Sequence, residues 1–131
     1  MSRPEAIDLE TTYLAVQDGP AALPMQVGPG FWATIEERTE LPAASRLLAV
    51  FCFETSWTSW EVHPAGDEVV VLLAGAVDLL LELPDGVHTV SLREAGASCV
   101  VPHGVWHTAD LHAPSRVLHL TRGAGTEHRP R

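Results

Sequence analysis

The stretch that decides the fold is Trp60-Glu61-Val62-His63-Pro64-Ala65-Gly66-Asp67-Glu68-Val69-Val70-Val71-Leu72-Leu73-Ala74-Gly75. It predicts two strands joined by a tight turn. Glu61 and His63 are two residues apart and point to the same face of an extended chain. Residues 64–67 turn the chain, and Glu68 then begins an apolar run. If the two strands pair, the side chains of Glu61, His63 and Glu68 converge.

A second segment carries a matching spacing. Gly96 is followed after five residues by Pro102, then by Gly104 and His107. Together the two segments resemble the cupin motifs G-x5-H-x-H-x3/4-E-x6-G and G-x5-P-x-G-x2-H-x3-N. The matching positions are His63, Glu68, Gly75, Gly96, Pro102, Gly104 and His107. Three positions depart from the motifs: Thr55 replaces the leading Gly, Glu61 the first His, and Leu111 the final Asn.

The resemblance implies an all-β fold, namely the double-stranded β-helix or jelly-roll barrel of cupins. It also implies one divalent metal ion inside the barrel, held by Glu61, His63, Glu68 and His107. The carry-over is direct for His63, Glu68 and His107, whereas for Glu61 it crosses a change of residue type. Two imidazoles and two carboxylates favour iron, manganese or zinc over Cu(I), with nickel left open. Two carboxylates would also neutralise the charge of a divalent ion.

The strand pattern supports an all-β sandwich or barrel without the resemblance. Short apolar or alternating runs recur along the chain with turn residues between them, as at Pro84-Asp85-Gly86. The predicted strands outside the first stretch are 11–17, 31–37, 46–54, 76–83, 87–93, 107–111 and 115–121. We predict a single domain over 1–131, with a core barrel over about 31–121. An N-terminal strand and loop occupy 1–30, and a tail occupies 122–131.

Composition excludes several classes of function. The chain has 131 residues and a net charge of −9, and its sequence contains neither Lys nor Asn. Schiff-base and P-loop lysine chemistry are therefore excluded. The charge and the lack of a basic stripe argue against nucleic acid and membrane as partners. No 18-residue apolar run is present, and an acidic N-terminal segment predicts no signal peptide, so a cytoplasmic protein is expected.

The two cysteines are predicted to be buried and reduced. Cys52 and Cys99 lie far apart in sequence, and each sits in an apolar run. Free cysteines behave as small buried hydrophobes, and disulfides are rare in the cytoplasm.

Each site residue also has a structural alternative. Glu61 could be solvated beside a three-ligand metal, or serve as a general base; Glu68 could be a surface charge, and His63 and His107 core histidines. We expect His103 to be exposed near the barrel mouth. For His119 two positions are left open: inward beside the ligands, or structural. The remaining side chains are expected at the surface (His88, His112 and His128) or in the core or an interface (Trp32, Trp57, Trp60 and Trp106).

Three classes of function fit these residues. The first is a small-molecule metalloenzyme of the dioxygenase, isomerase or decarboxylase type, and no catalytic residue beyond the metal group is singled out. The second is a non-catalytic barrel that binds or senses a sugar or another small molecule. The third is a barrel kept for structure alone. Strand 46–54 is apolar on both faces, which predicts a homodimer.

Overall fold

The computed structural model describes residues 3–34 and 45–131, and the regular secondary structure of these residues is almost entirely β-strand. A single short helix, α1, spans Phe31–Thr34. The strands are β1 (Thr12–Val16), β2 (Ala22–Gln26), β3 (Arg46–Phe53), β4 (Ser59–Val62), β5 (Glu68–Leu83), β6 (Gly86–Leu92), β7 (Ser98–Val101), β8 (His107–Thr121) and β9 (Glu127–Pro130). No helix in the described ranges is long and apolar enough to cross a membrane.

All strand pairs are antiparallel, and the two long strands β5 and β8 organise them. One path of neighbours runs β2-β1-β3-β8-β4-β9, while β5 pairs with β6, β7 and β8. The pairing of β5 with β8 extends from Val69 opposite Leu120 to Leu81 opposite His107. The all-β prediction is therefore confirmed, and the β5–β6 hairpin has its turn where Pro84-Asp85-Gly86 predicted it.

Four sequence predictions of local structure need correction. Residues 31–34 form α1 instead of the start of a strand, and 35–37 lie outside the described residues. Strand β2 occupies part of the predicted loop 20–30, and β9 lies in the predicted tail. The breaks predicted near residues 75 and 112 fall within continuous strands, where the pairing of β5 with β8 shifts register between Leu72 and Val77. Burial of the two cysteines was also predicted, and it is wrong for Cys52, which is exposed; Cys99 is half-buried, and both thiols are free.

Gly75 makes the register shift sterically feasible. Its φ is +99°, and a Cβ there would lie 2.3 Å from Ser115 Oγ and 2.5 Å from the carbonyl oxygen of Pro114. The Ser115 hydroxyl accepts a hydrogen bond from the amide of Ala76 at 3.1 Å. Only glycine combines this backbone conformation with so close an approach, which explains the closing glycine of the first motif.

The apolar core lies along one face of β5. Glu68, Val70 and Leu72 are all buried, as the alternation of side chains along a strand predicts. After the register shift, Val77, Leu79 and Leu81 continue the core. A second cluster packs Tyr13, Ala15, Met25, Phe31 and Ala49 at the N-terminal end of the sheet. The core therefore leaves Glu68 as a charged residue at the buried start of β5.

Candidate metal centre

Four side chains on or next to the strands β4, β5 and β8 meet at one point. Glu61 lies on β4, His63 directly after it, Glu68 begins β5 and His107 begins β8. One potential ligand atom from each lies within 4.8 Å of the others. Glu61 pairs directly with His107 across the β4–β8 ladder. The convergence predicted from the sequence is thus present, and its use as a metal site remains a prediction.

The two motifs are tied together beside this group. The amide of Gly104 donates to the carbonyl oxygen of His63 at 3.0 Å, and Gly104 has a φ of +75°. This bond links the turn before His107 to the end of β4. It fixes the spacing between the His63 and His107 side chains, whose ring centroids are 5.3 Å apart.

Hydrogen bonds on the outer side of each imidazole define its tautomer. His107 Nδ1 lies 3.1 Å from the Val105 carbonyl oxygen, which can only accept, so Nδ1 carries a proton. The Thr126 hydroxyl donates to the Gly123 carbonyl at 2.8 Å. His63 Nδ1, at 2.7 Å, must therefore donate to Thr126 Oγ1. In both neutral imidazoles Nε2 is then an unprotonated lone pair that points toward the carboxylates.

The inner side of the group consists of acceptors facing acceptors. His63 Nε2 lies 3.2 Å from Glu61 Oε1 and 3.2 Å from Glu68 Oε2. His107 Nε2 lies 3.3 Å from Glu61 Oε1 and 3.2 Å from Glu68 Oε1. Glu68 Oε1 and His107 Nε2 are buried, and this contact lacks the alignment of a hydrogen bond. Such a cluster needs positive charge at its centre, either as protons on the imidazoles or as a metal ion. The residues therefore fit a divalent cation.

Without a metal, the group holds protons strongly. Burial alone would lower the pKa of His63 and of His107, but the close contacts of their Nε2 atoms with the carboxylates of Glu61 and Glu68 raise these pKa values to about 9 and about 10. Burial would likewise raise the pKa of Glu61, yet hydrogen bonds from His107 and His63 bring it down to about 2. The same balance between burial and hydrogen bonds from His107 and other histidines holds the pKa of Glu68 well below its usual range. Two protonated imidazoles thus balance two carboxylates at neutral pH.

Glu68 is held by more contacts than Glu61 from outside the group. It is 2% exposed, and the Thr121 hydroxyl donates to its Oε2 at 2.5 Å. His119, predicted as a possible neighbour of the ligands, is buried with Nδ1 3.5 Å from the same oxygen. The surface-charge alternative for Glu68 is therefore wrong. Partners that orient ligands in this way are typical of metal sites.

Glu61 is the more accessible carboxylate. Its side chain is 19% exposed, and its Oε2 lies 3.3 Å from Nε2 of His128, which is itself exposed. His128 was predicted as a surface residue, and that is correct for its exposure. Its approach to Glu61 was missed, because it depends on β9 pairing with β4, which places His128 opposite Glu61. The tail composition gave no signal for this strand.

The group lies in the wall of a cavity of about 990 Å³. Glu61, His63 and Glu68 line it together with His119 and His128. Two of the tryptophans, Trp32 and Trp57, also line it, and Trp57 packs against the core as well. The other two, Trp60 and Trp106, pack against the Arg129 guanidinium at 5.4 Å and 4.6 Å from the ring centroids. The cavity is within the size range of small-molecule sites.

The remaining histidines lie apart from the group. His103 is 68% exposed and bonds to Asp67 Oδ1 at 2.8 Å, as expected for a residue that is not a ligand. His88 pairs with Asp85, and His112 with Asp78, both at the surface. These three surface predictions are confirmed.

Comparison with known proteins shows the fold. No family model matches the chain, and no curated protein matches its sequence. Hydroxypropylphosphonic acid epoxidase from S. wedmorenis aligns with a TM-score of 0.52 and 19% identity over 60% of this chain and 44% of that one. An oxalate oxidase aligns at 0.52 with 16% identity over 62% and 44%. Hydroquinone 1,2-dioxygenase from Sphingomonas sp. TTNP3 aligns at 0.50 with 17% identity over 58% of each chain.

These three similar structures are cupin-fold proteins, so the chain has the cupin β-barrel fold. The chain spans less than two thirds of the length of each of them. Identities of this size carry the fold and leave activity to the site itself.

Proposed function

We propose that this cupin-fold chain binds one divalent metal ion through Glu61, His63, Glu68 and His107, and uses it as a small-molecule metalloenzyme. The observation that carries the proposal is the inward-facing set of lone pairs on two imidazoles and two carboxylates. Iron, manganese and zinc suit this donor set, and nickel is left open. The metal would supply Lewis-acid or oxidative chemistry at the wall of the cavity.

The protein residues have separable roles in this proposal. His63, Glu68 and His107 are buried and are each held by a partner outside the group: Thr126, Thr121 and Val105 respectively. They form the two-histidine, one-carboxylate set that leaves positions open for a substrate. Glu61 is partly exposed to the cavity, so it either completes the ligand set or accepts a proton from a substrate beside the metal.

A dioxygenase, isomerase or decarboxylase activity fits a neutral metal group in the wall of a small-molecule-sized cavity. Neighbours of the fold are named as a dioxygenase, an epoxidase and an oxidase, and one is named with Fe(II). They support the enzyme class only as an analogy. The alternative is a non-catalytic small-molecule or sugar-binding barrel, favoured by the extensive apolar lining of the cavity.

Elemental analysis tests the metal site. We expect about one metal per chain in the wild type, and loss of it in His63→Ala and His107→Ala. His103→Ala is the matched control, since His103 is exposed and bonded to Asp67. Loss of metal in Glu61→Ala assigns Glu61 as the fourth ligand; retention assigns it the proton-accepting role. A wild type that binds no iron, manganese, zinc or nickel on reconstitution would refute the metalloenzyme.

The remaining expectations from the sequence also stay proposals. A homodimer is expected from the apolar strand β3, and light scattering on the purified chain measures it directly. A cytoplasmic location and a small-molecule partner, with no nucleic acid or membrane partner, complete the proposal. Oxygen uptake or product formation by the metal-loaded protein separates the enzyme from the non-catalytic binding barrel.

A further inference from the structure

One side of the cavity is an aromatic wall made of Trp32, Phe51, Phe53 and Trp57. Phe51 and Phe53 lie two residues apart on β3 and therefore face the same side. Their ring centroids are 6.0 Å apart, and the centroid of Phe53 is 5.6 Å from that of Trp57. Trp32 is 54% exposed and lies 6.0 Å from Phe51. The wall therefore runs from solvent into the cavity.

The inner end of this wall reaches the metal group. The Trp57 ring centroid lies 6.2 Å from that of His107. The Phe51 ring contacts His119 edge-on at 5.1 Å, and His119 neighbours Glu68. A flat ligand that packs along the wall would therefore have one end beside the ligand set. Aromatic rings prefer such stacked or edge-on partners to saturated ones.

The charges around the cavity favour an uncharged ligand. The sequence has no Lys, and no Arg is among the described residues that line the cavity. The imidazoles of His63, His119 and His128 each face Glu61 or Glu68, so any positive charge on them is already paired. A phosphate or carboxylate would find no free cation there other than the metal, whose two charges the carboxylates neutralise.

His119 supplies an unused polar ring nitrogen. The residue is 4% exposed and lines the cavity. Its Nδ1 lies 3.5 Å from Glu68 Oε2, which leaves Nε2 for another partner. Nε2 is buried and has no hydrogen-bond partner among the described residues. A buried polar atom of this kind is costly unless a ligand or water satisfies it. A hydroxyl group on the ligand would do so.

We propose that the cavity binds an uncharged aromatic compound that carries a hydroxyl group. Its ring lies on the aromatic wall, and its hydroxyl lies at the end where His119 and the metal group meet. This assignment of a ligand class rests on the proposed function, because the metal group forms the polar end of the cavity.

Calorimetry with three matched compounds tests the ligand class on the zinc-loaded wild type. The compounds are a naphthol, its fully saturated decahydro analogue and the corresponding naphthyl phosphate. We expect the naphthol to bind roughly tenfold more tightly than either, from one or two additional aromatic contacts. Phe53→Leu should remove most of the preference over the saturated analogue. Trp106→Leu removes an aromatic ring that packs on Arg129 and does not line the cavity, so it should keep that preference.

The outcomes separate this proposal from the metal site. Equal binding of the saturated analogue, or tightest binding of the phosphate, overturns the ligand class even when elemental analysis finds the metal. Preferential naphthol binding by a wild type that takes up no metal overturns the proposed function and leaves the aromatic wall as a binding site. Preferential binding in the metal-loaded protein, lost in Phe53→Leu and kept in Trp106→Leu, supports both.

Discussion

Metal binding at neutral pH should release about two protons per ion. In the metal-free chain the pKa values of His63 and His107 are raised to about 9 and about 10, so both imidazoles are protonated at pH 7. The two carboxylates are already ionised, because the pKa of Glu61 is lowered to about 2 and that of Glu68 lies well below its usual range. A histidine ligand must be neutral, so a metal ion replaces two protons.

The number released should depend on pH in a defined direction. Near pH 10 the His63 imidazole is largely neutral and that of His107 is about half protonated, so fewer than one proton per ion, on the order of 0.6, should be released. Calorimetric titration with zinc in buffers of different ionisation enthalpy gives the proton count as the slope of the apparent heat against that enthalpy.

A matched variant and a clear contrary result complete this experiment. His103→Ala should still release about two protons, because His103 bonds to Asp67 at the surface. Stoichiometric zinc binding at pH 7 with no proton release would show that the imidazoles are already neutral in the metal-free chain. It would refute the raised pKa values of His63 and His107, whereas metal loss in the His63→Ala and His107→Ala variants tests their assignment as ligands.

Three further predictions concern stability. The raised pKa values of His63 and His107 contribute stability that is complete below the usual pKa of 6.5 and is lost as pH rises through about 9 to 10. The free energy of unfolding of the metal-free chain, measured in urea, should therefore fall between these pH values. Excess zinc should largely remove this pH dependence. Gly75→Ala should lower the free energy of unfolding by at least about 2 kcal/mol, because its Cβ would lie 2.3 Å from Ser115 Oγ. Gly86→Ala, at positive φ in open space, should lower it clearly less. Equal losses in thermal or urea unfolding would contradict the steric argument. Leu72→Ala should cost about 2–5 kcal/mol from a fully buried side chain, and Val100→Ala, 59% exposed, less than about 0.5 kcal/mol, by the same measurement.

The sequence predicted the centre of the molecule better than its edges. Glu61, His63 and Glu68 could be placed together because strand alternation and a short turn keep them close. The pairing of their two strands that the sequence suggested is not what joins them, since within the described residues β4 pairs with β8 and β9 and β5 pairs with β6, β7 and β8. His107 could be added from the motif spacing alone. The hydrogen bond from the Gly104 amide to the His63 carbonyl oxygen links the two motifs. It joins residues that are distant in sequence, so the sequence did not predict it.

The elements that were missed are those whose structure depends on a distant partner. Residues 127–130 contain charge and Pro, and they form β9 only because β4 offers a free edge. His128 therefore reached Glu61 without any local signal. Cys52 was expected inside because β3 is apolar on both faces, yet its Sγ lies at the surface, 2.9 Å from Glu10 Oε1. Periodicity cannot tell which of two apolar faces the rest of the chain covers.

Glu61 is the residue that gives this site its charge balance. With a histidine there, as in the motif that the chain resembles, a divalent ion would leave the ligand set positively charged, whereas with Glu61 the loaded set is neutral. The metal-free set is neutral too, since two protonated imidazoles face two carboxylates. The fold therefore buries no net charge in either state. We therefore expect the group to form before a metal arrives, with protons in the metal's place, and to exchange them for the ion without rearranging its strands.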